Sequence, residues 1–252
     1  MVDENEVDVN NMSGSAILQV ENLAFDYGRA EVWRDVEFEI AQGEIVFLVG
    51  QNGSGKSTLL RCLAGIAKQK AGEIFLLGRR FAGISRMQRA QISFVSDAPV
   101  FYDDLSAEEH IKFVLSVNRK NDDYTLAMKL LEDFGLTGHI KQYPSSFSRG
   151  MREKLALVIA LIINPSLYLL DEPYGPLDGA ASKMLSHKIK ECISRGSSVI
   201  LSCHHDIPDL KPDRVFLLDD TRLVEKDSSI LGQMWGVGLP HDMTAANEFH
   251  TI

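Results

Sequence analysis

The sequence predicts an α/β fold, in which a parallel sheet flanked by helices is joined to an N-terminal antiparallel β subdomain and a helical subdomain. Three observations predict it. From Ala16 to Ile40 short runs alternate apolar and polar side chains, as in Val36-Glu37-Phe38-Glu39-Ile40, the pattern of antiparallel strands with one solvated face. Glu44 to Val49 is a β-rich run that ends in a glycine-rich loop, followed by helical spacing from Ser57 to Ala67. Two buried strands, Leu167 to Leu170 and Ser198 to Ser202, bracket a helix near Ala181 to Ser194, the alternation of a parallel sheet covered on both faces.

The remaining elements fall between these. Gln42-Gly43 punctuates the chain after the antiparallel strands. A mainly helical stretch runs from Leu105 to about Leu136, and its first helix opens with Ser106-x-x-Glu109, a capping box that satisfies the orphan amides of the first turn. Leu155 to Ile163 reads as a further helix, stopped by Asn164-Pro165, and Val215 to Leu218 adds another strand. Residues 1–15, with Asp3, Glu4, Glu6 and Asp8, read as a disordered acidic tail without the basic start and apolar stretch of a signal peptide. The main domain is expected over 16–225, its helical subdomain over about 98–155, and 226–252 is a C-terminal tail to which no periodicity assigns a role.

Bulk properties narrow the function. With 252 residues and 45% apolar side chains the chain can bury a continuous core. A formal charge of −9 argues against a broad nucleic-acid-binding surface, which needs clustered positive charge. Cys62, Cys192 and Cys203 are widely spaced, so neither a disulfide framework nor a zinc site is indicated, and a reducing cytosol fits. The longest apolar runs fall short of the ~18 residues a membrane helix needs.

Residues 50 to 57 read Gly50-Gln51-Asn52-Gly53-Ser54-Gly55-Lys56-Ser57 and fit GxxxxGK[ST]. Glycines at 50, 53 and 55 let the backbone amides around Asn52 and Ser54 curl about phosphate oxygens, and the helix beginning at Ser57 and Thr58 adds a partial positive charge. Lys56 brings a full charge to the β and γ phosphates, and the Ser57 hydroxyl can ligate a bridging Mg2+. The core is thus that of a P-loop NTPase, which fixes the ligand class but not the function.

Ser166 to Pro173 is a second diagnostic run: an apolar strand that delivers Asp171 and Glu172 at its C-terminal end, where ligands bind in open α/β sheets. Asp171 is placed to hold Mg2+ through water, and Glu172 to act as general base on the attacking water.

Between these two motifs lies Phe147-Ser148-Arg149-Gly150-Met151-Arg152-Glu153-Lys154-Leu155-Ala156-Leu157, and with it the chain resembles the ATP-binding cassette family, whose pattern here is LSGGQ followed by a helix. Ser148 and Gly150 match; Arg149 stands for the first glycine and Met151 for the glutamine. The resemblance spans about residues 16 to 225. It implies that Ser148 and Gly150 bind the nucleotide of an opposing subunit, that Tyr27 stacks on adenine, that Asp178 in Gly175-Pro176-Leu177-Asp178 makes a cross-dimer contact, and that His204, ahead of the adjacent His205, touches the γ phosphate. Asp97, ending the run Ile92-Ser93-Phe94-Val95-Ser96-Asp97, stands where the family has a metal-contacting glutamine. The departures at Asp97, Arg149 and Met151 look like single-cassette bacterial exporter ATPases.

The resemblance further implies an ATP- and Mg2+-dependent ATPase working as a homodimer or heterodimer of cassettes, with no nucleic acid. It implies a location on the cytoplasmic face of a membrane, held there only through a separately encoded transmembrane permease that carries the substrate. A soluble cassette ATPase uncoupled from transport and a non-catalytic ATP-binding regulator are the alternatives; the first usually carries fused cassettes or insertions not seen here, and Lys56, Asp171, Glu172 and His204 are all present for catalysis.

Overall fold

The computed structural model describes residues 16–28, 30–81, 86–120 and 123–235, so the expected acidic tail and residues 236–252 of the C-terminal tail lie outside the described residues. In chain order the elements are β1 (Ala16–Asp26), β2 (Glu31–Ala41), β3 (Ile45–Val49), α1 (Lys56–Leu63), β4 (Ala71–Leu76), β5 (Arg79–Arg80), α2 (Arg86–Arg89) and β6 (Ile92–Val95). Then come α3 (Ala107–Val117), α4 (Tyr124–Asp133), α5 (Arg149–Ile163), β7 (Leu167–Asp171), α6 (Gly179–Ser194), β8 (Ser198–Ser202), β9 (Arg214–Asp219), β10 (Arg222–Lys226) and α7 (Ile230–Trp235).

The strands form two sheets, ordered β2-β1-β4-β5 and β10-β9-β3-β8-β7-β6. The first is antiparallel; the second is parallel except for β10, which returns antiparallel on β9. Side chains alternate across a strand, so β3 feeds two cores. Ile45, Phe47 and Val49 pack with α3, α4, α5 and α6 on one face. Val46 and Leu48 pack with α1 and the antiparallel sheet on the other. The sheet is therefore buried on both faces, which is why β3, β7 and β8 read as nearly continuous apolar runs.

Several boundaries differ from the sequence expectation. α1 ends at Leu63, because Gly65 takes a left-handed φ of 67° and breaks the periodicity expected to reach Ala67. α5 begins six residues before Leu155: its first turn is polar and shows no apolar stripe, but Ser148 caps it by accepting from the Met151 amide at 3.2 Å. It also crosses the expected limit of the helical subdomain at 155. β4, β5, β10 and α7 have no counterpart in the sequence expectation; β4 is defined by long-range register, with Leu76 opposite Leu18 and Ile74 opposite Val20. The Ser106 and Glu109 capping box is formed as expected.

α5 carries one polar group deep in this packing. Glu153 is fully buried, and neither carboxylate oxygen has a hydrogen-bond partner. Burial, with the nearby negative charge of Asp97, pushes its pKa from 4.5 up to about 9, partly offset by Arg149. The native state thus holds this proton more tightly than the unfolded chain, so the contribution to stability is full below pH 4.5 and is lost as the pH rises toward 9. Glu153→Gln removes the titration while keeping the shape. Thermal denaturation should show the Tm of the variant gaining on wild type between pH 5 and pH 8.5; a pH-independent difference would contradict the buried neutral acid.

Candidate functional site

At the C-terminal edge of the parallel strands lies an open cleft of about 890 Å³, lined by Tyr27, the loop from Gln51 to Thr58, Asp97 and Glu172, and walled by Val32 and the turn Asp219 to Thr221. The loop leaves β3 at Gly50, where a Cβ would stand 2.4 Å from the Leu218 carbonyl oxygen of the neighbouring β9. At Gly55, with φ 100°, a Cβ would meet Val32 at 2.5 Å and the Trp33 ring at 2.9 Å. Glycine is required at both points because the loop is wedged between β9 and β2.

Lys56 heads α1 and is nearly buried, yet its ammonium donates only to the neutral carbonyls of Gly50 at 2.9 Å and Gln51 at 3.1 Å. Ser54 Oγ is buried and has no hydrogen-bond partner. A buried cation facing neutral oxygens and an unsatisfied hydroxyl in one loop fit an anionic ligand such as a triphosphate. Tyr27 stands at the rim, two-thirds exposed, its hydroxyl 3.1 Å from Thr58 Oγ1 and its ring edge-on to Phe25 at 5.0 Å. An exposed flat face at the mouth of a phosphate cradle suits a base.

Asp171 and Glu172 end β7. Asp171 lies buried beneath the cleft, while Glu172 takes a left-handed φ of 50° that turns its side chain into it. Both are held by Ser202 at the end of β8, whose hydroxyl donates to Asp171 Oδ1 at 2.7 Å and accepts from the Glu172 amide at 2.9 Å. His204 follows the same strand and places Nδ1 3.3 Å from Glu172 Oε2. Its neighbour His205 packs edge-on against it at 4.9 Å and has a lowered pKa, mainly from burial and then from His204.

Ser148, Gly150 and Asp178 are not brought into the cleft. Ser148 and Gly150 form the start of α5, where a Cβ on Gly150 would lie 2.7 Å from the Pro176 carbonyl oxygen. Asp178 caps α6 by accepting from the Ala181 amide at 2.8 Å and pairs with Lys154 of α5 at 2.6 Å. Asp97 lies on the cleft wall, but its carboxylate is engaged by Arg149 at 2.6 Å. A metal at this site would draw on Ser57, Asp171 and Asp97, with ligand oxygens completing the shell.

Two contributors leave little trace in the sequence. Ser202 was legible only as a strand end, although a serine closing an apolar strand at the ligand edge is a signal in itself. The wall from Asp219 to Thr221 is a hairpin turn with positive φ at Asp220 and Thr221, of 41° and 69°. The sign of φ at both central positions is that of a type I′ turn, which usually announces itself by Asn-Gly or Asp-Gly and here does not.

A family model described as ABC transporter matches residues 33–175. The chain is 32% identical over 192 residues to the ABC-type transporter ATP-binding protein EcsA of Bacillus subtilis (strain 168), covering 75% of this chain and 77% of that protein. It is 38% identical over 170 residues to the sulfate/thiosulfate import ATP-binding protein CysA of Synechococcus elongatus, covering 67% of this chain and about half, 49%, of that protein. A solved structure described as the ATP binding subunit of an ABC transporter matches with a TM-score of 0.78 at 30% identity, over 88% of this chain and 94% of that one.

Ser202→Ala should leave a buried carboxylate oxygen and a backbone amide unpaired, costing about 1–3 kcal/mol of stability in a denaturation curve. A loss below about 0.5 kcal/mol would mean that Ser202 does not hold the two acids in place.

Proposed function

The chain belongs to the ABC transporter family of ATP-binding and ATP-hydrolysing proteins, and from that premise we propose that it is the motor of an exporter, driving a separately encoded transmembrane permease from the cytoplasmic face. Among the described residues no helix is long and apolar enough to cross a membrane, which fits attachment through a partner. The observation that carries the reading is the convergence, in one cleft, of an unneutralised Lys56 in a phosphate loop with Glu172, beside which His204 places Nδ1 at 3.3 Å.

In this reading adenine stacks on Tyr27 and the phosphates lie along Gly50, Asn52, Gly53, Ser54, Gly55, Ser57 and Thr58. Lys56 exchanges its carbonyl partners for β and γ phosphate oxygens, which attract its charge far more strongly. Ser57, Asp171 and Asp97 would hold Mg2+, which would supply neutralisation of the phosphate charge. Glu172 accepts a proton as the water oxygen bonds to the γ phosphorus and the bond to the β–γ bridging oxygen breaks, leaving ADP. His204 orients Glu172 and reaches the γ phosphate. Ser148, Gly150 and Asp178, which do not line their own cleft, serve the nucleotide of a second copy, so that two cassettes enclose two ATP molecules and their closure moves the permease.

Export as the direction rests on the pattern of Asp97, Arg149 and Met151. The import named for CysA is the opposing reading, and transport into or out of vesicles holding the chain with its permease decides between them. Co-purification from membranes identifies that permease. For the chemistry, Glu172→Gln should lower turnover by about 10² or more while ATP stays bound, so the variant accumulates as an ATP-filled dimer in gel filtration. Near-normal hydrolysis by the pure variant would refute the assignment of Glu172 as base.

A further inference from the structure

Arg149 and Asp97, the two places where the chain departs in charge from the pattern it resembles, lie 52 residues apart and form an ion pair, Nη2 to Oδ1 at 2.6 Å. Among the described residues each is the other's one ion partner. Glu153, four residues further along α5, does not compete for the guanidinium: it is fully buried, and both its oxygens lack a partner. Arg149 opens α5 directly after the cap Ser148, where the helix dipole disfavours a cation unless an anion faces it. The anion that faces it lines the same cleft as Ser57 and Glu172. Both side chains are well exposed, 65% and 46%, so the pair is weak and easily exchanged.

We propose that Arg149 is a positioning residue for the metal of this cleft, which occupies Asp97 in the metal-free chain and competes with the divalent cation for that carboxylate. The proposal rests on the reading of Asp97 as a metal ligand given above. One carboxylate carries one negative charge, and a dication on it would stand close to the guanidinium. The two cations repel each other, so only one of them holds Asp97 at a time. A hard dication prefers carboxylate oxygen and displaces the guanidinium once enough of it is present. Arg149 thereby sets the metal concentration at which Asp97 joins the site, and metal binding unties the first turn of α5 from the segment that follows β6. The glutamine and glycine of the pattern form no such pair.

The test titrates Mn2+, in place of Mg2+, into the full-length chain filled with β,γ-imido ATP, which is not cleaved, and follows the spin resonance signal of the free ion. Arg149→Ala should tighten Mn2+ binding about 2- to 5-fold, the span of an exposed ion pair. Arg149→Lys should stay near wild type, because the charge remains. Asp97→Asn should weaken binding several-fold, since a neutral oxygen is a poorer ligand for a hard cation, and adding Arg149→Ala to it should change nothing further. That pattern supports the proposal. Unchanged or weaker binding by Arg149→Ala, with Asp97→Asn still weakened, overturns it while leaving Asp97 a ligand, because Arg149 would then steady the carboxylate or leave it alone. The same tightening in the Asp97→Asn background also overturns it, since Arg149 would act through the field of the cleft and not through Asp97. Full-strength binding by Asp97→Asn alone removes Asp97 from the metal, and both the earlier reading and the proposal fall with it.

Discussion

In a parallel sheet all strands point the same way, so the register between neighbours decides which side chains meet at the ligand edge. Here Leu48 of β3 lies opposite Ser202 of β8, and Ser202 lies opposite Asp171 of β7. That register sets the phosphate loop, the hydroxyl that holds the acids and the acids themselves side by side, although they come from three distant parts of the chain. A slip of one residue would turn Ser202 to the other face of the sheet and leave Asp171 buried without a partner. The apolar side chains that alternate between the two cores hold the register against such a slip.

What could be read from the sequence follows from how local the physics is. The loop from Gly50 to Ser57 is legible because phosphate binding demands fixed residue types at fixed spacing. The pair Asp171 and Glu172 is legible because an apolar strand ending in two adjacent acids sets both charges at the edge of a sheet where ligands bind. The parallel core and the antiparallel strands were legible through periodicity. The start of α5 was not, since a polar first turn that ends with a buried Glu153 carries no apolar stripe. β4, the wall from Asp219 to Thr221 and the pairing of Asp97 with Arg149 depend on strand order and on contacts over tens of residues, which spacing along the chain does not encode.

The site is also where the fold tolerates unsatisfied chemistry. Ser54 Oγ and both oxygens of Glu153 are buried without partners, while Lys56 directs its charge at neutral carbonyls. Away from this region, His110 is fully engaged: the ring donates from Nδ1 to the Ser106 carbonyl and accepts the Tyr102 amide at Nε2. Ser54 and Lys56 are thus groups that a charged ligand would satisfy, in keeping with a site whose stability rises when it is filled.

The contact between Gly150 and the Pro176 carbonyl oxygen has a mechanical meaning. There is no room for a Cβ there, and Lys154 pairs with Asp178, so the start of α5 and the segment that leads from Glu172 to α6 meet backbone to backbone. A larger residue at position 150 would act as a spacer and push the two apart.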